Sequence, residues 1–257
     1  MTYEHIVVER SDWYTTITMN RPARRNALSL PHLRELVDAF TRAGQSDARG
    51  LVVAGNGPVF SAGHDFSEMA GADLVFMREL LGACEELMLT LCSIPQPVIA
   101  KVHGLATAAG CQLVATCDLA VASDQAAFAI PGGKGGWFCH TPLVAVARNV
   151  GRKRAAEMAL TGDAIDAPTA LEWGLVNRVV PSDELDTATV ALLERATRGS
   201  ALSKGLGKKG FYTQVDLDLR RAYAYATELM ASSTQTADAQ EGMAAFLDKR
   251  PPKWVDR

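Results

Sequence analysis

Near the N-terminus the apolar positions change period twice. His5 to Arg10 and Trp13 to Met19 are short runs rich in Val, Ile and Thr around Ser11-Asp12, which predicts two strands joined by a hairpin turn. Asn20-Arg21-Pro22 breaks that pattern. After Ser29, a capping residue, Leu30, Leu33, Val37 and Phe40 recur at spacings of three, four and three up to Gly44, and this predicts an amphipathic helix. Gly50 to Ala54 is a continuous apolar run of the kind found in buried strands, and Gly55 to Phe66 has the composition of a loop.

The same grammar then repeats. A helical stretch from about Asp73 to Cys92 leads to a Pro-bounded strand, Val98 to Val102, then a glycine-containing bend, a small-residue helix from about Thr107, and a strand around Leu119 to Ala122. Strands alternating with helices predict an α/β chain. Beyond Pro181 the strand signals stop, and Glu184 to Arg198, Val215 to Ser232 and Thr236 to Lys249 carry helical patterning, closed by Pro251-Pro252. No internal sequence repeat or low-complexity tract interrupts this order.

At 257 residues the chain suits one large domain with its own core, or a core with a small appendage. A formal charge of −3 gives no global field to draw in nucleic acid, so any anionic ligand must be held locally. The five cysteines (Cys84, Cys92, Cys111, Cys117, Cys139) form no C-x-x-C pair and lie among apolar neighbours, which predicts buried thiols in a reducing compartment and a cytoplasmic home. The N-terminal residues carry no export signal, and the most apolar segment, Pro97 to Ala122, is interrupted by Lys101, His103, Gln112 and Asp118, so no membrane span is expected.

The sequence contains no Walker-type phosphate loop, no dinucleotide fingerprint, no H-E-x-x-H and no nucleophile elbow. Gly132-Gly133-Lys134-Gly135-Gly136 lacks the spacing of a phosphate loop and reads as a flexible turn. Two other segments stand out. In Phe60-Ser61-Ala62-Gly63-His64-Asp65, small residues after a buried strand let another molecule approach the main chain and leave amides free to donate. In His103-Gly104-Leu105-Ala106-Thr107-Ala108-Ala109-Gly110 the same happens where a strand gives way to a helix, whose first amides lack intrahelical acceptors. Each turn alone reads equally as close packing; two of them facing each other would form an oxyanion hole.

Seven motifs in order carry a family resemblance. They are Asn20-Arg21-Pro22 with Asn26-Ala27-Leu28, Phe60-Ser61-Ala62-Gly63-x-Asp65, and Pro97-Val98-Ile99-Ala100 leading into Gly104 and Ala109-Gly110-Cys111. There follow Cys117-Asp118-Leu119-Ala120, Leu160-Thr161-Gly162-Asp163, Gly174-Leu175-Val176-Asn177 and Glu241-Gly242-Met243-x-Ala245-Phe246. Together they span nearly the whole chain, which resembles the crotonase, or enoyl-CoA hydratase/isomerase, superfamily. The resemblance implies an α/β spiral of ββα units over residues 1–197 that carries the acyl-CoA site, with a helical trimerisation region over 198–257. It also implies assembly as trimers or hexamers and an acyl-CoA thioester substrate. Coenzyme A then enters as part of the substrate, with no separate cofactor and no metal.

The resemblance further implies that the thioester carbonyl is held by the backbone N–H groups of His64 and Ala109. An enolate oxygen gains more from such donors than the ground-state carbonyl does. The His64 ring itself reads as solvated or locally hydrogen-bonded. Arg24 and Arg25 are candidates for CoA phosphate contacts, Ala62, Asp65, Phe66 and Ser67 in and beside the first turn are, with His64 and Ala109, candidates for contacts to the CoA substrate, and Phe246 and Lys249 match C-terminal positions that reach the CoA of a neighbouring subunit. Surface arginines and an ordinary amphipathic helix are the alternative reading of these cations and of Phe246.

Hydratases of the family use two glutamates, and the matching positions here are Gln112 and Gly132. Gln112 can orient water but not take its proton, and Gly132 can do neither, so classical hydration is expected to be severely impaired. Asp65, Glu68, Trp137, Cys139 and His140 lie in or beside pocket-lining segments of the family. His140 could move protons and Cys139 could attack, although a His at a helix start usually caps or packs and an apolar-flanked Cys is usually inert. Three functions fit: a hydratase/isomerase-type enzyme working through a thioester enolate with unusual acid–base residues, a decarboxylase or thioester hydrolase, and a non-catalytic acyl-CoA binder.

Overall fold

The computed structural model describes residues 2–256. The chain opens with β1 (Ile6–Arg10) and β2 (Tyr14–Met19), antiparallel with Ile6 opposite Met19, and Ser11 N–H closes the predicted turn on the Tyr14 carbonyl at 2.9 Å. Helix α1 (Leu30–Gly44) begins and ends where its spacing predicts. Ser29 caps it by accepting from His32 N–H, and Leu33, Leu36 and Phe40 on its apolar face are fully buried. Then come β3 (Gly50–Gly55), the single turn α2 (Phe66–Met69) and α3 (Leu74–Ser93), whose first turn is capped by the Asp73 carboxylate accepting from Phe76 N–H at 2.8 Å.

From here successive strands are dealt alternately to two sheets. β4 (Val98–Val102) joins the large sheet and β5 (Ala106–Thr107) the small one; after α4 (Ala109–Thr116), β6 (Leu119–Ser123) and β7 (Ala127–Ala129) do the same. After α5 (His140–Val150) and α6 (Arg152–Thr161), β8 (Ile165–Asp166) extends the small sheet. Helix α7 (Ala167–Trp173) then precedes β9 (Arg178–Val180) of the large one. The sheets run β1-β2-β3-β4-β6-β9 and β5-β7-β8, and β2 to β9 pair in parallel along the large sheet. Isolated bridges Leu28 to His64 and Ser61 to Ala106 carry the small sheet's pattern back to the earlier turns. Each turn of chain thus adds a strand to both layers and a helix outside them, which makes a spiral.

The four remaining helices are α8 (Leu185–Thr197), α9 (Ala201–Gln214), α10 (Leu219–Ser233) and α11 (Ala237–Leu247). Leu185 and Leu193 of α8 pack on Val52, Ile99 and Val121 of the large sheet, so α8 belongs with the sheet's core. Helix α9 is docked through a half-buried polar cluster. Lys208 Nζ lies 2.7 Å from Asp118 Oδ2 and donates to the Leu91 and Gln96 carbonyls, and Tyr212 OH donates to Asp118 Oδ1 at 2.9 Å. Every member has a partner, as a charge withdrawn from water requires. Burial, reinforced by the Asp118 charge, pushes the Tyr212 phenol well above its ordinary range.

Two expectations are corrected and one helix is added. The helix expected from about Thr107 starts at Ala109, because Ala106 and Thr107 form β5 and Ala108 turns the chain with φ +50°. The helix expected from Val215 starts at Leu219, capped by Asp218 accepting from Arg221 N–H. Helix α9 was not predicted because Gly205, Gly207 and Gly210 depress its propensity. Two of these glycines serve packing: a Cβ on Gly205 would lie 2.8 Å from Pro95 Cβ, and one on Gly210 would lie 2.4 Å from Leu229 Cδ2. Among the described residues no helix is long and apolar enough to cross a membrane.

Candidate active site

The two unusual turns are brought into contact by backbone pairing. Ser61 N–H donates to the Leu105 carbonyl at 3.2 Å and Thr107 N–H to the Ser61 carbonyl at 3.0 Å. Close approach is what the glycines permit. A Cβ on Gly63 (φ +83°) would lie 2.8 Å from Ala108 Cβ and 3.3 Å from Ala109 N, and one on Gly110 would lie 2.6 Å from the Ser61 carbonyl oxygen. On the other side Leu28 N–H donates to Gly63 O at 2.7 Å, Ala62 N–H to Arg25 O at 3.0 Å and Asp65 N–H to Leu28 O at 3.3 Å. The amides of Ala62, Gly63 and Asp65 are therefore used, Gly63 N–H reaching Ser61 Oγ at 3.3 Å.

Among the described residues the N–H groups of His64 and Ala109 donate to no protein acceptor. Ala109 is the first residue of α4, so its amide also carries the positive end of the helix dipole. Ala108 before it has φ +50° and ψ −118°, a costly conformation for a residue with a Cβ, and Ala108 N–H is fixed to Ala129 O at 2.9 Å. Both amides thus lie on abutting turns and are left to donate outside the fold.

Asp65 supports this arrangement from behind. It is buried, caps α2, and accepts from Ser67 N–H (3.2 Å) and Ser67 Oγ–H (2.7 Å). Arg21 Nη2 lies 3.2 Å from Oδ2 and Arg24 Nη2 3.5 Å from Oδ1. Burial pushes its pKa up, but the Ser67 hydrogen bonds, Arg21 and the Arg24 charge outweigh that and hold it below the ordinary carboxylate value. A folded-state pKa below the unfolded one means that the carboxylate stabilises the fold above pH about 4 and that this contribution fades as pH falls through the folded value. Asp65→Asn is therefore expected to destabilise the protein by about 3 kcal/mol at pH 7 and by progressively less below pH about 4, checked by urea denaturation across pH.

The other candidates sort by what they touch. Glu68 Oε2 accepts from Leu30 N–H at 2.9 Å and so serves the start of α1. Arg24 is tied to Ser67 Oγ at 2.6 Å, whereas Arg25 is exposed and, among the described residues, has no side-chain partner. Phe66 is exposed, with its ring centroid 6.5 Å from that of Trp137, which lies 6.2 Å from the His64 ring. The His64 imidazole is not solvated: it is buried, with Nδ1 3.4 Å from the Leu28 carbonyl, and burial lowers its pKa. His140 is exposed at the start of α5, its ring 5.2 Å from Phe138. Cys139 is buried and burial pushes its thiol up, against a weaker pull from Gly132 N–H, which donates to Sγ at 3.3 Å.

Gln112 is buried in α4, with Cys84 Sγ 4.0 Å from its Oε1. Gly132 is needed for space rather than for flexibility. A Cβ there would lie 2.1 Å from the Trp137 carbonyl oxygen and 2.7 Å from Cys139 Sγ, and Trp137 N–H closes the turn on Gly132 O at 2.9 Å. The run 132–136 is thus a hydrogen-bonded turn, with Lys134 N–H on Pro131 O and Gly135 N–H on Gly132 O, and only Gly136 within it has positive φ. The Trp137 to His64 contact was not legible in sequence, because the two residues lie on separate turns of the spiral.

Phe246 and Lys249 lie elsewhere within the chain. Phe246 is 83% exposed and lines a groove of about 830 Å³ between α9, α10 and α11, whose lining includes no residue of the two turns. Among the described residues no three His, Cys, Asp or Glu side chains gather to hold a metal.

Comparison with known proteins agrees with this architecture. A family profile described as "Enoyl-CoA hydratase/isomerase" matches residues 10–257. The mouse protein named "Enoyl-CoA hydratase domain-containing protein 3, mitochondrial" is 43% identical over 247 residues, 95% of this chain and 82% of that one. An Escherichia coli 2,3-dehydroadipyl-CoA hydratase is 33% identical over 98% of this chain and 99% of its own length. The crystal structure of an enoyl-CoA hydratase from Mycobacterium smegmatis superposes with a TM-score of 0.95 at 43% identity, covering 98% of this chain and 99% of that one. Spiral, paired turns and full-length similarity together place the chain in the enoyl-CoA hydratase/isomerase family, with the crotonase fold.

Proposed function

We propose that this protein acts on an acyl-CoA thioester whose enolate, or enolate-like transition state, is held between the N–H groups of His64 and Ala109. The observation that supports this reading is the pair of unpartnered amides on turns locked together at Gly63 and Gly110. Each such donor contributes about 3 kcal/mol to lowering the barrier. In this reading Gln112 and Gly132 stand where hydratases of the family carry their two glutamates, so the oxygen-binding half of the machinery is kept and the water-activating half is lost. Hydration of crotonyl-CoA is then expected to be slower than in a two-glutamate hydratase by at least about 100-fold. Exchange of the α-hydrogens of a saturated acyl-CoA with solvent should still be measurable. Fast hydration, or a failure to bind acyl-CoA, would overturn this reading. A thioester that loses CO2 reaches the same enolate without a base, so decarboxylation of a malonyl-type thioester is the second reaction that the pair of amides favours.

The substrate supplies the coenzyme, and local cations must meet its phosphates. Among the described residues Arg25 has no side-chain partner, whereas Arg24 is already engaged by Asp65 and Ser67. Arg25→Ala is expected to weaken acyl-CoA binding about tenfold, and Arg24→Ala less, measured by calorimetric titration. Residues 198–257 serve assembly in this reading. Leu219, Tyr223 and Met230 of α10 and Phe246 and Leu247 of α11 are exposed apolar side chains suited to a trimer or hexamer contact. The five free thiols, four of them buried, fit a reducing compartment, and the cytoplasm is our reading of where the chain works; the mouse relative's name places that protein in mitochondria.

A further inference from the structure

We propose that the His64 imidazole is the proton acceptor for the α-carbon of the bound thioester, its Nε2 doing the work of the absent carboxylates. This rests on the reading that the His64 and Ala109 amides hold the thioester oxygen. The ring is anchored on one side only. Its Nδ1 lies 3.4 Å from the Leu28 carbonyl, and Leu28 is itself paired with the His64 segment, its N–H donating to Gly63 O at 2.7 Å. A carbonyl oxygen only accepts, so Nδ1 carries the proton and Nε2 presents a lone pair.

That lone pair has no hydrogen-bond partner, although the residue is only 8% exposed. A buried acceptor left unmatched needs an explanation beyond folding. Among the described residues two other buried side-chain atoms are equally unmatched, His32 Nε2 and Gln96 Oε1, but neither residue lies on the two abutting turns. In His64 the unpaired N–H and the unpaired Nε2 belong to one residue. On this proposal the α-carbon of a thioester whose oxygen sits on that amide lies within reach of this ring. Burial keeps the imidazole neutral and so able to accept a proton at neutral pH, and the Trp137 ring lies 6.2 Å from it, centroid to centroid.

In the step, Nε2 takes the α-hydrogen as a proton. The C–H electron pair forms the C=C bond, and the carbonyl π pair moves onto oxygen, where the amides of His64 and Ala109 receive it. Imidazolium and enolate then stand side by side and offset each other's charge, and reversal returns the proton. In D2O, exchange of the Nε2 proton with solvent before return leaves deuterium on the α-carbon.

The test uses the full chain with butyryl-CoA in D2O. Binding is measured by calorimetry and α-deuteration by NMR for the wild type, His64→Ala and His64→Gln, with circular dichroism confirming that each is folded. Both variants keep the backbone N–H, so binding should stay within about threefold while deuteration falls at least about 100-fold. A purely structural role would move both together. Deuteration retained within tenfold by either folded variant, or a wild type that binds without deuterating, overturns His64 as the base and leaves the acyl-CoA reading standing. A wild type that does not bind butyryl-CoA overturns that reading itself.

Discussion

Gly63→Ala should destabilise the protein by about 3 kcal/mol and reduce α-proton exchange at least about 100-fold per folded molecule. Two costs add. The residue sits at φ +83°, where a Cβ is strained, and that Cβ would lie 2.8 Å from Ala108 Cβ and 3.0 Å from the Thr107 carbonyl oxygen. Relief can come only by pushing the two turns apart, which moves the His64 and Ala109 amides off a common oxygen, and a displacement of about 1 Å at such a site is worth about 100-fold in rate. Gly71 provides the control. Its φ is +79°, but nothing lies within 4 Å of where its Cβ would be, so Gly71→Ala should cost about 1 kcal/mol in urea denaturation and leave exchange unchanged. Equal losses of exchange in both variants would show that contact between the turns is not what matters.

Placing carboxylates at Gln112 and Gly132, the two positions that the proposed function assigns to water activation, should fail to create a hydratase. Gln112→Glu alone is sterically mild and should leave a folded protein, with crotonyl-CoA hydration raised by less than about tenfold, because one of two acid–base groups is still missing. Gly132→Glu is a different kind of change. Its Cβ would fall 2.1 Å from the Trp137 carbonyl oxygen, so the turn that closes on Gly132 O must open, carrying Trp137 away from His64. The double variant is expected to be destabilised by at least about 3 kcal/mol and to show no useful hydration. A folded double variant with hydration raised 100-fold would mean that the turn can reopen into a hydratase pocket.

These two positions also mark where reading the sequence succeeds and where it stops. Helix α1 is legible to the residue because its cap, Ser29, its apolar spacing and its terminal Gly44 are all local signals, and β4 is legible because an apolar run follows Pro97. Helix α9 is hidden by glycines whose purpose, clearing Pro95 and Leu229, lies in distant segments. The small sheet is hidden because β5 and β8 are two residues each and β7 three, too short for a period to register. At the site the small-residue turns announce themselves. Their mutual contact, the burial of the His64 ring and the steric role of Gly132 depend on pairings across the spiral that no local pattern encodes. Gly132 shows this most clearly. As a letter in a glycine-rich run it reads as flexibility, while in the fold it is a space that a neighbouring carbonyl already occupies.

The proposed oxygen-holding pair, His64 N–H and Ala109 N–H, can be probed directly with butyryl-CoA carrying ¹³C at the thioester carbonyl. On saturating binding, the ¹³C resonance should move downfield, because two N–H donors draw electron density from the carbon through its oxygen. The shift should persist in His64→Ala, which keeps the amide, and collapse in Gly63→Ala, which misplaces it. A carbonyl resonance unchanged on binding to the wild-type protein would contradict an oxygen held between His64 and Ala109.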